Sequence, residues 1–342
     1  MDEAAIRILD VNLNRAREAL RVIEDYARFA LSDAAAAERA KHTRHELLRI
    51  ATEIGPETLL AARDILNDVG RDTKTATELH RGSLEDVSRA AFARLTESAR
   101  GIGEYAKLFS REAAAAAETL RYDAYELEQT LLLRGDLRTR FRSVRLYVII
   151  TASLCHQDWL ATAEAAIRGG ATCLQLREKD LTDAELLRRA RALRELTTRH
   201  QALLFINDRP DIARLCDADG VHVGQDDLPI REARSIAGAR KLIGKSTHTI
   251  AQVEAALAEA PDYIAVGPMF GTTTKPNSVV AGPALLIAAR ARTELPLVAI
   301  GGINATNAAS LIRAGASCLC ACSSVISGNA EVQAQQITSA MQ

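Results

Sequence analysis

The chain has 342 residues, a length that accommodates about two domains. Its 48% hydrophobic and 25% charged residues are ordinary globular values and exclude a largely disordered chain. With a net charge of −1 and 4% aromatic residues, it has neither a basic field nor stacking platforms, so we expect no nucleic-acid partner. No apolar run reaches the ~20 residues of a membrane span and no signal peptide stands out; we expect a cytoplasmic protein without membrane contact.

Residues 1–135 have the periodicity of α-helices. Within the segment 12–29, apolar residues such as Leu13, Ala16 and Leu20 recur three and four positions apart and form one helical face. Alanine-rich stretches, which are strong helix formers, follow along the chain. We therefore predict an all-α N-terminal domain over these residues.

The segment 136–143 lies in a basic stretch between two different patterns and is predicted to be a solvated linker. From residue 144 onwards, continuous apolar runs alternate with amphipathic stretches. Such β-branched runs, for example 146–151, suit parallel strands that are buried on both faces. Eight strand–helix units in about 200 residues predict a (β/α)8 TIM barrel over 144–342 rather than an open doubly wound sheet. Dinucleotide-binding and P-loop glycine motifs are both missing.

The active sites of such barrels form at the carboxyl ends of the strands, so the residues after each predicted strand are the candidates. Gln175, Arg177 and Lys179 come at the end of the second strand, where alternation places them on one side. Two cations and an amide in this arrangement suit a phosphorylated heterocycle as ligand. His222 lies within a predicted strand, and we expect it to be a packed side chain rather than a catalytic group.

Two carboxylates, Asp208 and Asp227, follow neighbouring strands. Together with the cations above and Lys275, they are expected to surround Mg2+ and a diphosphate, because Mg2+ takes one or two carboxylates and completes its octahedron with phosphate oxygens and water. The alternative is that both side chains cap the helices that begin near Pro210 and Pro229.

A second anion site is expected after the last two strands. Gly301 and Gly302 follow the seventh strand, and the small residues 322–324 follow the eighth. Phosphate groups bind at this position in such barrels, where backbone N–H groups and a helix N-terminus meet the anion. A tight strand–helix turn is the alternative explanation of the glycine pair. These residues together predict a site that holds one diphosphate and one monophosphate.

Taken in order, these motifs resemble the thiamine phosphate synthase family. The matching stretches are QLREK at 175–179, IND at 206–208, DGVHVGQDD at 219–227, GKSTH at 244–248, DYIAVGPMFGTTTK at 262–275 and AIGGI at 299–303. The resemblance covers about residues 144–330. It implies a Mg2+-dependent enzyme that joins an aminopyrimidine methyl diphosphate to a thiazole phosphate and releases pyrophosphate.

The resemblance also implies a role for each matching residue. It assigns the pyrimidine to Gln175 and Ser246, the diphosphate to Arg177, Lys179, Asn207 and Lys275, Mg2+ to Asp208 and Asp227, and the thiazole phosphate to Thr272, Thr274, Gly302, Cys322 and Ser323. The last strand departs from the family pattern, because CLCACSS at 318–324 replaces a valine-rich strand that ends in serine.

The N-terminal half resembles a hydroxymethylpyrimidine phosphate kinase-like helical domain that is fused to some bacterial synthases. This resemblance implies ATP as a cosubstrate and consecutive reactions on one chain. A dimerisation or regulatory role is the alternative, and homo-oligomerisation stays open. The candidate residues of this half are Arg15, Glu18, Arg21, Arg44, Arg63 and Asp64. For the barrel, the alternative functions are a thiazole tautomerase-like isomerase and a non-enzymatic regulator that binds thiamine phosphate.

Overall fold

The computed structural model describes residues 2–31, 33–64, 80–271 and 280–341. The chain divides into two compact units, Met1–Gly135 and Asp136–Gln342. Among the described residues, no helix combines the length and the apolar character that crossing a membrane requires.

The N-terminal unit is built from α-helices, as the periodicity predicts. Its helices are α1 (Glu3–Asp25), which continues as a π-helical turn (Tyr26–Ala30), α2 (Ala34–Ile54), α3 (Pro56–Ala61), α4 (Leu84–Ala106) and the greater part of α5 (Arg111–Arg142). The carboxylate of Asp2 caps α1 by accepting from the Ala4 N–H at 2.9 Å. The apolar stripe of α1 that includes Leu9, Leu20 and Ile23 is fully buried in the core of this unit.

The described part of the second unit contains a closed barrel of eight parallel strands, which confirms the predicted fold class. The strands are β1 (Leu146–Ile150), β2 (Cys173–Leu176), β3 (Leu203–Asn207), β4 (Gly220–Val223), β5 (Leu242–Thr247), β6 (Tyr263–Val266), β7 (Leu297–Ile300) and β8 (Cys318–Ala321). The helices are α6 (Trp159–Arg168), α7 (Asp183–Arg199), α8 (Pro210–Leu215), α9 (Ile230–Ala237), α10 (Ile250–Ala258), α11 (Gly282–Arg290), α12 (Ala308–Arg313), α13 (Ser323–Ile326) and α14 (Ala330–Ala340).

The barrel interior is filled by large side chains that lie opposite glycines. A Cβ on Gly220 would lie 2.3 Å from Cε1 of Phe205, and a Cβ on Gly244 would lie 2.0 Å from Cζ of Tyr263. Only glycine therefore leaves room for these rings on the neighbouring strands. Together with Tyr147 of β1, the two rings occupy the centre of the barrel, where all three are fully buried.

Acidic or hydroxyl side chains tie the strands together at their N-terminal ends. Asp219, directly before β4, accepts a backbone N–H of β3 at 2.8 Å, and Asp262, directly before β6, accepts one of β5 at 2.8 Å. Ser317, directly before β8, accepts the first N–H of β7 at 3.2 Å. This recurring contact satisfies amides at the end of the barrel opposite to the predicted site, so it has a structural role.

The predicted linker forms part of a helix, and two of its side chains contact the barrel instead of solvent. Helix α5 runs through it to Arg142, and the ring of Phe141 is 2% exposed and stacks on Tyr263 with 4.5 Å between the ring centroids. Arg138, one turn earlier, donates from Nε to Oδ1 of Asp262 at 2.7 Å. The prediction of a solvated connector is wrong at these two positions, because the last turn of the helix closes the base of the barrel.

Candidate functional site

The carboxyl ends of the strands surround a cavity of about 990 Å3. Seven of the predicted site residues line it: Gln175, Arg177, Asn207, Ser246, Gly302, Cys322 and Ser323. Three more, Lys179, Asp208 and Asp227, do not line the cavity but are joined to it through Asn207, whose Nδ2 donates to Oδ2 of Asp208 at 2.5 Å. The structure thus brings these ten predicted residues to one end of the barrel.

Asp208 and Asp227 form a coupled pair of carboxyl groups. Burial, together with the hydrogen bond and charge of Asp227, raises the pKa of Asp208 to about 6. Burial opposes ionisation of Asp227 as well, but hydrogen bonds from Asp208 and from the Gly224 N–H, the latter at 2.7 Å, hold its pKa below the usual value. Nζ of Lys179 lies 4.0 Å from Oδ2 of Asp208. Each carboxyl group thus disfavours ionisation of the other, and a bound cation would relieve this repulsion.

The helix-capping alternative is excluded for both carboxylates. Helix α8 has Arg209 as its N-cap and α9 has Pro229, and neither helix end receives a side-chain cap among the described residues. Asp208 instead adopts a left-handed backbone with φ of 61°, a conformation that non-glycine residues take rarely and that recurs at functional sites.

The donor set of this pair fits Mg2+. It offers hard carboxylate oxygens, and the described residues contain no cluster of three or more His, Cys, Asp or Glu side chains that could hold a metal. A zinc site needs three or four protein ligands, whereas Mg2+ is bound by one or two carboxylates with phosphate and water oxygens. Asp208 and Asp227 are therefore the residues that could hold this ion.

Of the two cations in the QLREK segment, Arg177 lines the cavity with Gln175, as the alternation predicts, whereas Lys179 lies outside this lining. The intervening Glu178 has a different role, because Oε1 accepts from the Ala152 N–H and from Nη1 of Arg189, each at 2.9 Å. Within the described part of the chain, Arg177 forms no salt bridge. Its charge is therefore available to an anion in the cavity.

A hydrogen-bonded chain of side chains crosses the barrel interior and ends at the cavity. Gln175 Nε2 donates to Tyr147 OH at 2.7 Å, and Tyr147 OH lies 3.4 Å from Tyr263 OH. Tyr263 OH lies 2.9 Å from Nδ1 of His222, whose Nε2 lies 2.8 Å from Oγ of Ser246. Both ends of this hydrogen-bonded chain, Gln175 and Ser246, are among the site residues that the sequence analysis names.

The three inner members of the chain were missed by sequence reasoning. His222 is buried, as predicted, but it also lines the cavity and contacts Ser246, so it belongs to the site. The available signal is strand parity, because Tyr147, His222 and Tyr263 occupy inward positions in register with other interior residues.

The expected phosphate end of the cavity is formed by two consecutive left-handed glycines. Gly301 has φ of 97° and Gly302 has φ of 66°. A Cβ on Gly302 would lie 2.7 Å from the Gly271 carbonyl oxygen, so only glycine fits this turn. Cys322 and Ser323 line the same cavity as the two glycines. Thr272, Thr274 and Lys275, which we predicted to bind phosphate, lie outside the described residues.

In the N-terminal unit, the predicted residues do not form one site. Arg63 makes a bidentate pair with the buried Asp10, at 2.8 and 2.7 Å, and Asp64 lies 3.7 Å from Arg7. Arg44 pairs instead with the buried Glu24 at 3.2 Å. The 14-residue interval between the two acidic residues on α1 corresponds to about 21 Å along the helix.

Arg21 belongs to the second of these clusters, since Nη1 lies 3.8 Å from Oε2 of Glu24. Arg15 and Glu18 are exposed positions on α1. These six candidates therefore stay predictions without a common site: Arg44 lies on α2, and Arg63 and Asp64 follow α3.

Two family models match the chain. Residues 146–325 match the model described as thiamine monophosphate synthase, and residues 7–130 match the ThiD2 family. The first covers the barrel and the second covers most of the helical N-terminal unit.

Relatives that are similar over nearly the whole length include two named thiamine-phosphate synthase. The protein of Gloeobacter violaceus is 42% identical over 315 residues, which is 92% of this chain and 90% of the relative. The protein of Thermosynechococcus vestitus is 43% identical over 313 residues, which is 91% of this chain and 87% of the relative. Both alignments extend over the helical part as well as the barrel.

Among solved structures, the thiamine phosphate pyrophosphorylase of Pyrococcus furiosus has a TM-score of 0.55 and 31% identity, covering 60% of this chain and 97% of that one. The similarity to this structure supports the barrel, and the relatives support both parts of the chain. The chain therefore belongs to the thiamine phosphate synthase family of transferases, with an N-terminal part of the ThiD2 family.

Proposed function

We propose that the barrel condenses an aminopyrimidine methyl diphosphate with a thiazole phosphate to give thiamine phosphate and pyrophosphate. The observation that carries this proposal is the meeting of an amide, a cation and a hydroxyl, from Gln175, Arg177 and Ser246, in one cavity beside the carboxylate pair. A reaction between two phosphorylated heterocycles needs such a combination: polar groups for a ring, cations for a diphosphate, and a second anion site.

The proposed reaction is dissociative. The bond between the pyrimidine methylene carbon and the diphosphate oxygen breaks, and its electron pair leaves with the diphosphate. The lone pair of the thiazole nitrogen then forms the new carbon–nitrogen bond with the resulting pyrimidinylmethyl cation. Such a reaction depends on neutralising the leaving group and aligning the partners rather than on a strong base.

The residues divide this work between them. Arg177 and Lys179 neutralise the diphosphate as it departs, and Asn207 positions it beside the carboxylates. Gln175 and Ser246 orient the pyrimidine ring, while the turn at Gly302 receives the thiazole phosphate. Asp208 and Asp227 would hold Mg2+, which would supply further neutralisation of the leaving group.

For the N-terminal unit, the match to the ThiD2 family supports a second proposal. This unit phosphorylates the pyrimidine monophosphate with ATP, so that the chain produces the diphosphate that its barrel consumes. Two separate charged clusters, Asp10–Arg63 and Glu24–Arg44, are the candidates for carrying this step.

The deciding experiment measures thiamine phosphate as thiochrome fluorescence with the full-length chain. One arm contains pyrimidine monophosphate, ATP, thiazole phosphate and Mg2+; the other contains preformed pyrimidine diphosphate in place of the first two. Product in both arms supports both proposals, and product only in the second arm contradicts the kinase. No product in the second arm contradicts the synthase, and conversion of thiazole phosphate alone indicates an isomerase.

Matched variants assign the steps to residues. Asp208→Asn is expected to lose product in both arms, whereas Asp217→Asn, at an 84% exposed side chain, is the control that retains it. Arg63→Ala and Arg44→Ala test the two N-terminal clusters. Loss in the first arm alone, compared with the exposed control Arg49→Ala, identifies the cluster that supports phosphorylation.

A further inference from the structure

Tyr263 occupies a defined place inside the barrel. Its ring lies in the space that Gly244 leaves open and stacks on Phe141, with 4.5 Å between the centroids. Its hydroxyl, fully buried, lies between the Tyr147 hydroxyl at 3.4 Å and Nδ1 of His222 at 2.9 Å. Packing therefore fixes the ring of Tyr263, and this places its hydroxyl beside the imidazole of His222.

The hydrogen bonds in this chain have one consistent direction. The amide of Gln175 donates to Tyr147, so the oxygen of Tyr147 accepts there and its proton is directed to Tyr263. The proton of Tyr263 then goes to Nδ1 of His222. In the reverse direction, Gln175 and Tyr263 would both donate to Tyr147. The proton of Tyr147 would then have no acceptor among these hydrogen-bonded side chains.

This direction determines the tautomer of the imidazole. A neutral His222 that accepts at Nδ1 carries its proton on Nε2, and that N–H then donates to Oγ of Ser246 at 2.8 Å. Ser246 accepts this bond and retains its own hydroxyl proton as a donor. Burial raises the pKa of both Tyr147 and Tyr263 well above the usual value, so both phenols remain protonated donors.

We propose that Tyr263 is a positioning residue for the synthase reaction: it holds His222 as the Nε2–H tautomer, so that Ser246 donates its proton to an acceptor atom of the pyrimidine substrate in the cavity. This inference rests on the proposed synthase function and deepens it. Tyr263 does not touch the substrate; it acts through His222 and Ser246. A misoriented donor at the reacting ring costs catalysis rather than overall binding.

The test uses the full chain labelled with 15N-histidine and the Tyr263→Phe variant. Phenylalanine keeps the ring that fills the space at Gly244 and stacks on Phe141, so it removes the hydroxyl and little packing. Two-bond 1H–15N couplings distinguish the tautomers, and the signal of His222 is assigned by its loss in His222→Gln. We expect the Nε2–H tautomer in the wild type and a mixture of tautomers in Tyr263→Phe.

The kinetic expectation is a fall in kcat of about 10- to 100-fold for Tyr263→Phe, with an unchanged KM for the thiazole phosphate. Tyr105→Phe, at an exposed tyrosine on α4, is the matched control with wild-type kcat. Tyr147→Phe leaves the Tyr263 hydroxyl in place, so His222 is expected to remain the Nε2–H tautomer.

Three results would overturn the inference: an Nδ1–H tautomer in the wild type, an unchanged tautomer in Tyr263→Phe, or a wild-type kcat in that variant. The spectrum of the wild type decides the tautomer even where a variant does not fold. Failure of the proposed function is distinguishable, because a wild-type chain without product from preformed diphosphate contradicts the synthase while its His222 tautomer still tests the hydrogen-bonded chain.

Discussion

The carboxyl groups of Asp208 and Asp227 contact each other at the rim of the barrel cavity, and burial together with this contact raises the pKa of Asp208 to about 6. Two acidic groups that are pressed together without a cation cost folding free energy, because ionising the second one meets the charge of the first. At neutral pH the two carboxyl groups therefore repel each other, and a cation bound with the substrate would relieve this repulsion. The repulsion should be measurable as a loss of stability.

Asp208→Asn is expected to stabilise the metal-free chain at pH 8. Because the pKa of Asp208 is raised in the folded chain, the contribution of this group to the free energy of unfolding falls as the pH rises from 3.8 to about 6. The rise corresponds to at most about 3 kcal/mol. Thermal unfolding in EDTA should show a higher midpoint for the variant at pH 8 and equal midpoints near pH 4; a difference independent of pH would contradict the coupled pair.

Lys179→Ala is expected to weaken use of the pyrimidine diphosphate. The side chain is 57% exposed and its ammonium group lies 4.0 Å from Asp208, so its removal should reduce kcat/KM for the diphosphate by about 10- to 100-fold while the fold is retained. The KM for the thiazole phosphate should not change. Arg188→Ala, at a side chain that is 67% exposed on α7, is the control. Steady-state kinetics with each substrate varied in turn makes the comparison, and equal effects on both substrates would argue against a role at the diphosphate.

The barrel could be predicted from the sequence because its strands coincide with continuous runs of apolar residues. The run 146–151, for example, became β1 with one residue fewer, since a parallel strand buried on both faces needs apolar side chains at every position. Gln175 and Arg177 were found by the same logic, because the end of each strand is visible in the pattern. The roles of Asn207 and Ser246 came instead from the resemblance to the synthase family.

The interior network could not be predicted in this way. Tyr147 and Tyr263 belong to β1 and β6, which are not neighbours in the barrel, and their hydroxyls meet only because the barrel closes. No local spacing encodes that contact. Phe141 was hidden for a different reason: it lies in a segment rich in arginine, and composition alone predicts solvent where the structure has a buried ring.

Gly244→Ala is expected to destabilise the barrel by about 2–3 kcal/mol, because the added Cβ would lie 2.0 Å from Cζ of Tyr263 and the ring has no free space to move into. Gly328→Ala is the matched control, since nothing lies within 4 Å of its added Cβ and its backbone is not left-handed. Urea unfolding of the two variants measures the difference. Equal stabilities would show that the barrel interior is not packed as described.

Phe141→Ala tests whether the end of α5 belongs to the barrel. The ring packs on Tyr263 and also on Phe205, with 5.5 Å between the centroids, and it is 2% exposed, so its removal leaves a cavity in the aromatic cluster. We expect a loss of about 3–5 kcal/mol in the free energy of unfolding of the barrel. Phe29→Ala removes a ring that is 73% exposed and should cost little. Because the stacked partner of Phe141 is the tyrosine that bonds His222, we also expect Phe141→Ala to lower kcat under conditions where the chain remains folded; full activity in that variant would mean that Tyr263 is held without this support.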